Sequence, residues 1–270
     1  MGGISNGNLM SLREFARDSQ DRLKRVLGES EAMSTVGMAQ VMSVEGWTDL
    51  LNAENFCEAV AEPSGEAVTD AQLMAIAKTE LTAAMAAAQS ANTDHYYLFA
   101  LAGRARANLW LGEYAAALAD ARAVLAADPD FTYEALYSVN SGALYWVTVA
   151  TQGENSAGSL MYQWWPYVDD DAQMMRDVYT NELDPRLPIY HDGTKAVDGV
   201  TEFYSQWKYQ DRNADVKMTH SGEMKLIEAE VLWRQGDLPG ALAALNFLRT
   251  RAGLTAHDAT TDSDLVFEYF

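Results

Sequence analysis

The sequence is poor in cysteine and contains no long apolar run. Its 270 residues include a single cysteine, Cys57, so an intrachain disulfide and a zinc site built on several cysteines are both excluded. Cys57 lies in an apolar, helix-like context, and we expect it to be a small buried hydrophobic side chain. No apolar stretch reaches the roughly 20 residues that a membrane-spanning helix needs. We therefore expect a chain without transmembrane helices.

Positive charge is scarce as well. The chain has 19 Lys and Arg against 39 Asp and Glu, which gives a formal net charge of −20. Nucleic acid is not an expected partner, because neutralising phosphates needs clustered basic residues. Anionic membrane surfaces repel such a chain for the same reason. The acidic residues are dispersed, which fits either adaptation to high salt or a simple compositional bias, and 49% hydrophobic residues predict a folded core.

Motifs for catalysis and metal binding are also missing. The sequence has no Gly-x-Ser-x-Gly, no His-Glu-x-x-His and no phosphate-binding glycine loop. The acidic triplet at 169–171 lacks the glycine and terminal glutamate of an EF-hand loop. We predict no catalytic residue, no metal and no cofactor. A glycosidase carboxylate pair among the many acids is a weaker alternative.

The first half of the chain predicts helices. Leu12, Phe15, Leu23 and Val26 are expected to form the apolar face of an N-terminal helix. Residues from about 71 to 129 predict a helical hairpin, which follows a capping signal at 69–72. Within it, Leu-Gly-Glu-Tyr at 111–114 with a later alanine and a terminal proline is typical of tetratricopeptide (TPR) hairpins.

A similar phrase recurs near the C-terminus and predicts a second hairpin at about 222–252. Its turn glycine, Gly236, lies 124 residues after Gly112 (236 − 112), far beyond the roughly 34-residue period of a continuous TPR array. The residues between the hairpins, about 130–217, form a loop-rich insertion with strand candidates at 145–151 and 202–209. The fold class that follows is mainly α, with TPR-like helical hairpins and an insertion that contains short strands.

Aromatic residues are concentrated in this insertion. Trp and Tyr rings stack on the apolar faces of sugars, while nearby Asp, Asn, Gln and Arg bond the hydroxyls. Asn155, Gln163, Asp169 and Arg176 are candidates for the polar groups. A core role for the aromatic residues is the alternative for each one singly. The predicted ligand-binding residues are Tyr162, Trp164, Trp165 and Trp207.

Three stretches resemble the SusD/RagB family of outer-membrane nutrient-binding lipoproteins. The first is the hairpin at 104–129, and the second is Asp-Pro-Arg-Leu at 184–187 followed by Lys-Tyr at 208–209. The third is 223–254, which ends in the most specific signal, Leu-Asn-x-Leu-Arg-x-Arg-Ala-Gly-Leu at 245–254. The likeness covers roughly residues 30–270, and it predicts one SusD-like domain over 1–270 with a SusD-like α-α superhelix. Family members are usually longer, so a shortened or fragmentary member is expected.

The resemblance implies a surface protein of the outer membrane, held there by a lipid anchor that this chain lacks. Such a protein would capture oligosaccharides or peptides for a TonB-dependent, SusC-like transporter and would have no catalytic activity. The alternative is a TPR-type interaction module, whose acidic groove would preferentially bind a basic peptide or protein.

Overall fold

The computed structural model describes residues 6–60, 65–138, 140, 162–196, 198–210 and 213–258. These residues fall into two compact units. The first, the helical unit, comprises the chain up to Tyr133 together with Thr219–Ala241. The second, the sheet unit, comprises Glu134–Met218 and the chain from Leu242 onward. A single domain over the whole chain remains a prediction.

Helices make up most of the described chain, as predicted. The first three are α1 (Asn6–Leu27), α2 (Glu29–Ala32) and α3 (Val36–Asn55), and a short hairpin of β1 (Glu58–Val60) and β2 (Ala67–Thr69) follows them. Cys57 is exposed just before β1, so the expectation of a buried thiol was wrong. The remaining helices are α4 (Asp70–Ser90), α5 (Asp94–Trp110), α6 (Tyr114–Ala127), α7 (Ser221–Arg234) and α8 (Leu238–Arg251).

Local sequence signals determine where several of these helices begin and end. The capping signal before α4 is a capping box: Gln72 donates its backbone N–H to the Thr69 hydroxyl, and its side chain accepts from the Thr69 backbone. Both predicted turns are present, with Gly112 between α5 and α6 and Gly236 between α7 and α8. Their φ angles are +74° and +81°, a region that glycine enters without steric cost.

Glycine also allows three helices to pack closely in the core of the helical unit. An added Cβ on Gly46 of α3 would lie 2.7 Å from the Leu81 side chain of α4. A Cβ on Gly103 of α5 would lie 2.9 Å from Trp47 and 3.0 Å from Leu81. Trp47 is held in place because its indole N–H donates to the Phe99 carbonyl at 3.0 Å. The backbones of α3, α4 and α5 can therefore approach closely because these two positions lack a side chain.

The predicted apolar face of α1 was wrong at three of its four residues, and only Leu23 packs against the core. Leu12, Phe15 and Val26 are 43%, 67% and 79% exposed, whereas Arg13 is buried. The Arg13 guanidinium donates to Asp49 of α3 at 2.7 Å and lies 3.4 Å from Glu80 of α4. The helix therefore packs through charge pairs as well as through apolar residues such as Leu9 and Ala16, and a pattern of apolar residues does not reveal the charge pairs.

The sheet unit is built on short antiparallel strands. Four of them pair in the order β4 (Val168–Asp169), β5 (Met174–Arg176), β6 (Leu183–Tyr190) and β7 (Ser205–Gln206). The predicted strand at 202–209 was mostly wrong: β7 has two residues, and Phe203 and Tyr204 are both buried rather than alternating. The candidate strand at 145–151 lies outside the described residues. A separate two-stranded sheet pairs β3 (Thr132–Ala135) with β8 (Val216–His220).

Two of the motifs that carry the family resemblance meet in the sheet unit. Arg249, from the motif at 245–254, is 1% exposed and donates to both carboxylate oxygens of Asp177, at 2.9 and 3.2 Å. Asp184 and Arg186, from the motif at 184–187, pair with each other on β6, and Arg186 lies 4.0 Å from Asp177. These motif residues therefore fix the end of α8 to the sheet.

Candidate functional site

The clearest candidate site is an aromatic pair on the β6–β7 ribbon. Tyr190 lies opposite Ser205 in the antiparallel register, so Trp207, two residues further on, is its diagonal neighbour on the same face. Their rings stack with centroids 4.7 Å apart and an interplanar angle of 26°. Tyr190 is 39% exposed and Trp207 is half-buried. We call these two residues the open-face pair.

The opposite face of the ribbon is packed. There Tyr204 stacks on His191 at 4.3 Å and contacts Trp165 at 5.5 Å. Met175 and Ile189 complete this small apolar cluster, against which half-buried Trp165 packs. Two of the predicted site residues, Trp165 and Trp207, thus lie on different faces of the ribbon.

The other two predicted aromatic residues fall in a short 3-10 helix, Tyr162–Tyr167. The side chains of Tyr162 and Trp164 lie outside the described part of the structure, so their role as ligand-binding residues remains a prediction. Tyr190 was not among the residues selected from the sequence. The signal for it was local: in Pro188-Ile189-Tyr190 the strand period buries Ile189 and turns the next ring outward.

A polar group beside the open-face pair comes from the loop that follows β6. The Tyr190 hydroxyl donates to Asp192 at 3.4 Å, whereas the Lys208 ammonium group lies over the Tyr209 ring, 5.7 Å from its centroid. Hydrogen bonds from the Thr194 hydroxyl and backbone lower the pKa of Asp192, so this carboxylate is ionised at neutral pH. Stacked rings beside a carboxylate provide an apolar surface with a polar edge, which suits a sugar ring.

The polar candidates chosen from the sequence have other partners. Arg176 donates to Asp169 and to the Asn181 carbonyl, so both side chains stabilise the β4–β5 region. Asn155 and the Gln163 side chain lie outside the described residues. The polar group beside the open-face pair is therefore Asp192 rather than Asp169 or Arg176.

Neither a metal-binding cluster nor a membrane-spanning helix is present among the described residues. No group of three or more His, Cys, Asp or Glu side chains there is arranged to hold a metal ion. Among the same residues, no helix is both long and apolar enough to span a membrane.

Comparison with known proteins identifies the fold. No family model matches the chain, and no curated protein matches it. Solved structures do match. A SusD superfamily protein from Bacteroides vulgatus ATCC 8482 superposes with a TM-score of 0.64 at 15% identity, over 98% of this chain and 71% of that one. The chain has a SusD-like fold. A SusD-like protein from Bacteroides fragilis NCTC 9343 gives 0.62 at 12% identity, over 98% and 72%.

The SusD-like fold confirms, at the level of architecture, the resemblance drawn from the three motifs. A SusD-like carbohydrate binding protein from Bacteroides vulgatus ATCC 8482 matches with a TM-score of 0.52 and 16% identity, over 89% of this chain and 60% of that one. The chain thus spans 60 to 72% of the length of these three structures.

Proposed function

We propose that this protein is a non-catalytic binding protein that captures oligosaccharides. The observation that carries the proposal is the open-face pair, an outward-facing Tyr–Trp stack on a SusD-like fold. One of the matching structures is named a carbohydrate binding protein. Exposed aromatic rings offer a large rigid surface at low conformational cost, and sugar C–H faces stack on them.

The charge of the protein limits which class of sugar we expect it to bind. A net charge of −20 raises the free energy of bringing an anionic glycan to the surface, and Asp192 beside Tyr190 adds local repulsion. Neutral oligosaccharides avoid this penalty. We therefore propose neutral oligosaccharides as ligands, with peptides as the second ligand class.

The proposed cellular role is capture at the outer-membrane surface and delivery to a TonB-dependent, SusC-like transporter. The SusD-like fold and the three family-like motifs support this role. Co-purification with such a transporter from detergent-solubilised membranes tests the partnership, and a transporter that elutes without this protein would contradict it.

Calorimetry with neutral hexasaccharides (maltohexaose, cellohexaose and xylohexaose) and an oligogalacturonate tests the binding function. We expect saturable binding of at least one neutral sugar, no binding of the oligogalacturonate, and no new reducing ends after prolonged incubation. Release of shorter sugars would contradict a non-catalytic role. Tight binding of a basic protein without any sugar binding would favour the TPR-type interaction module.

A further inference from the structure

A second set of aromatic rings lies in the helical unit, outside the open-face pair. Trp47 stacks on Phe99 with centroids 5.1 Å apart, and Phe99 stacks on Tyr133 with centroids 3.4 Å apart and an interplanar angle of 9°. His95 in turn stacks on Tyr133 at 5.2 Å. Trp47 and Phe99 are fully buried, Tyr133 is half-buried and His95 is exposed. The four rings form a column that runs from the core to the surface.

The surface end of the column is broader than one ring. Tyr96, half-buried in the first turn of α5, meets His95 edge-on at 5.3 Å and lies 6.3 Å from Tyr133. We call His95, Tyr96 and Tyr133 the His95 cluster. Its base is fixed, because Tyr133 rests on buried Phe99, whose carbonyl accepts from the Trp47 indole. A ligand would thus meet a preorganised surface, which lowers the entropy lost on binding.

The polar tips of the His95 cluster have no partner in the described part of the chain. Neither tyrosine hydroxyl there makes a hydrogen bond, and the His95 imidazole makes none either. Burial raises the pKa of Tyr133 to about 12, with the neighbouring Tyr96 adding to the shift, so its hydroxyl stays protonated and able to donate. Two hydroxyls and an imidazole at the edges of ring faces match the mixed apolar and hydroxyl surface of a pyranose.

We propose that the His95 cluster is a second carbohydrate-binding platform, which takes one neutral pyranose unit. The proposal rests on the proposed function in the choice of ligand class, but it concerns different residues in a different unit. A neutral ligand is favoured because the net charge of the protein repels anions.

The test uses the imidazole signals of His95 in NMR spectra of the full chain, assigned by their loss in His95→Gln. Maltohexaose, cellohexaose and xylohexaose are titrated into the wild type and into a Tyr190→Ala/Trp207→Ala variant that lacks the open-face pair. We expect at least one sugar to shift the His95 signals saturably in both proteins. Tyr96→Phe, which keeps the ring and removes the hydroxyl, should weaken that binding about three- to tenfold.

A matched control is Phe15→Ala, which removes an exposed ring from α1 of the same unit and should leave the titration unchanged. Sugar binding that shifts the Trp207 indole signal while the His95 signals stay constant would overturn the second platform and leave the proposed function intact. An absence of any sugar-induced shift would overturn both. Circular dichroism confirms that each variant is folded.

Discussion

Among individual residues, the buried charges between α1, α3 and α4 have the most direct consequences for stability. Asp49 is fully buried. Two buried carboxylate oxygens, Asp49 Oδ1 and Glu80 Oε2, have no hydrogen-bond partner among the described residues. Burial, followed by the charges of Asp49 and Glu45, raises the pKa of Glu80 to about 9. A protonated Glu80 that donates to Asp49 satisfies both orphan oxygens while Arg13 pairs with Asp49.

Stability should therefore fall as the pH rises. The folded state keeps a proton on Glu80 that the unfolded chain, with a pKa near 4.5, has already released. The free energy of unfolding should decrease between about pH 5 and pH 9, by at most about 1.4 kcal/mol per pH unit. Urea unfolding across this range measures the slope. Glu80→Gln should flatten it, whereas Glu31→Gln, at an exposed position, should not; an unchanged slope in Glu80→Gln would contradict the assignment.

The Asp177–Arg249 pair has the opposite effect on how stability depends on pH. Burial disfavours ionisation of Asp177, but hydrogen bonds from Arg249 and Thr180 outweigh it and lower the pKa. The stabilisation is present above the unfolded pKa of about 3.8 and is lost as the pH falls below that value. Asp177→Ala leaves Arg249 buried without its partner and should cost about 3–5 kcal/mol by chemical denaturation at pH 7.

The control for this prediction is Asp171→Ala, which removes an exposed carboxylate of the same unit and should change stability by less than about 0.5 kcal/mol. Equal effects of the two substitutions would show that the Asp177–Arg249 pair does not hold the end of α8 against the sheet.

At the scale of elements, close helix packing makes glycine preferable to alanine at one helical position. Gly103→Ala gains about 1 kcal/mol of helix propensity, but the new methyl group would overlap the hydrogen-bonded Trp47, and overpacking costs about 1–3 kcal/mol. We expect a net loss in melting temperature. Gly37→Ala is the matched control, because its nearest neighbour would be 3.8 Å away, and it should be neutral or stabilising. A stabilised Gly103→Ala would show that the helices can separate.

Elements specified by local chemistry were predictable from the sequence, and those specified by distant partners were not. The capping box at Thr69 and the positive-φ turns at Gly112 and Gly236 depend on neighbouring residues, and all three are present. The exposed face of α1 and the two-residue β7 depend on contacts made far along the chain. The clustering of aromatic residues in the insertion predicts Trp207 as a site residue, but only the strand register pairs it with Tyr190.

At the scale of the whole molecule, the net charge of −20 has a measurable consequence. Dispersed acidic residues repel one another in the compact state, and salt screens that repulsion, with a Debye length of about 8 Å at 0.15 M. We expect the melting temperature to rise between low and moderate NaCl. Parallel scans in sucrose separate screening from general solute exclusion, and a melting temperature that falls with NaCl would show that attractive ion pairs dominate.

The most direct test of oligosaccharide capture compares three proteins by calorimetry with the same neutral hexasaccharide. These are the wild type, the Tyr190→Ala/Trp207→Ala variant and Trp110→Ala, which removes a 40% exposed tryptophan from the helical unit. We expect the double substitution to weaken the strongest binding event at least tenfold, equivalent to about 1.4 kcal/mol, and Trp110→Ala to leave it unchanged. Equal affinity in all three proteins would contradict the assignment of the open-face pair as the capture site.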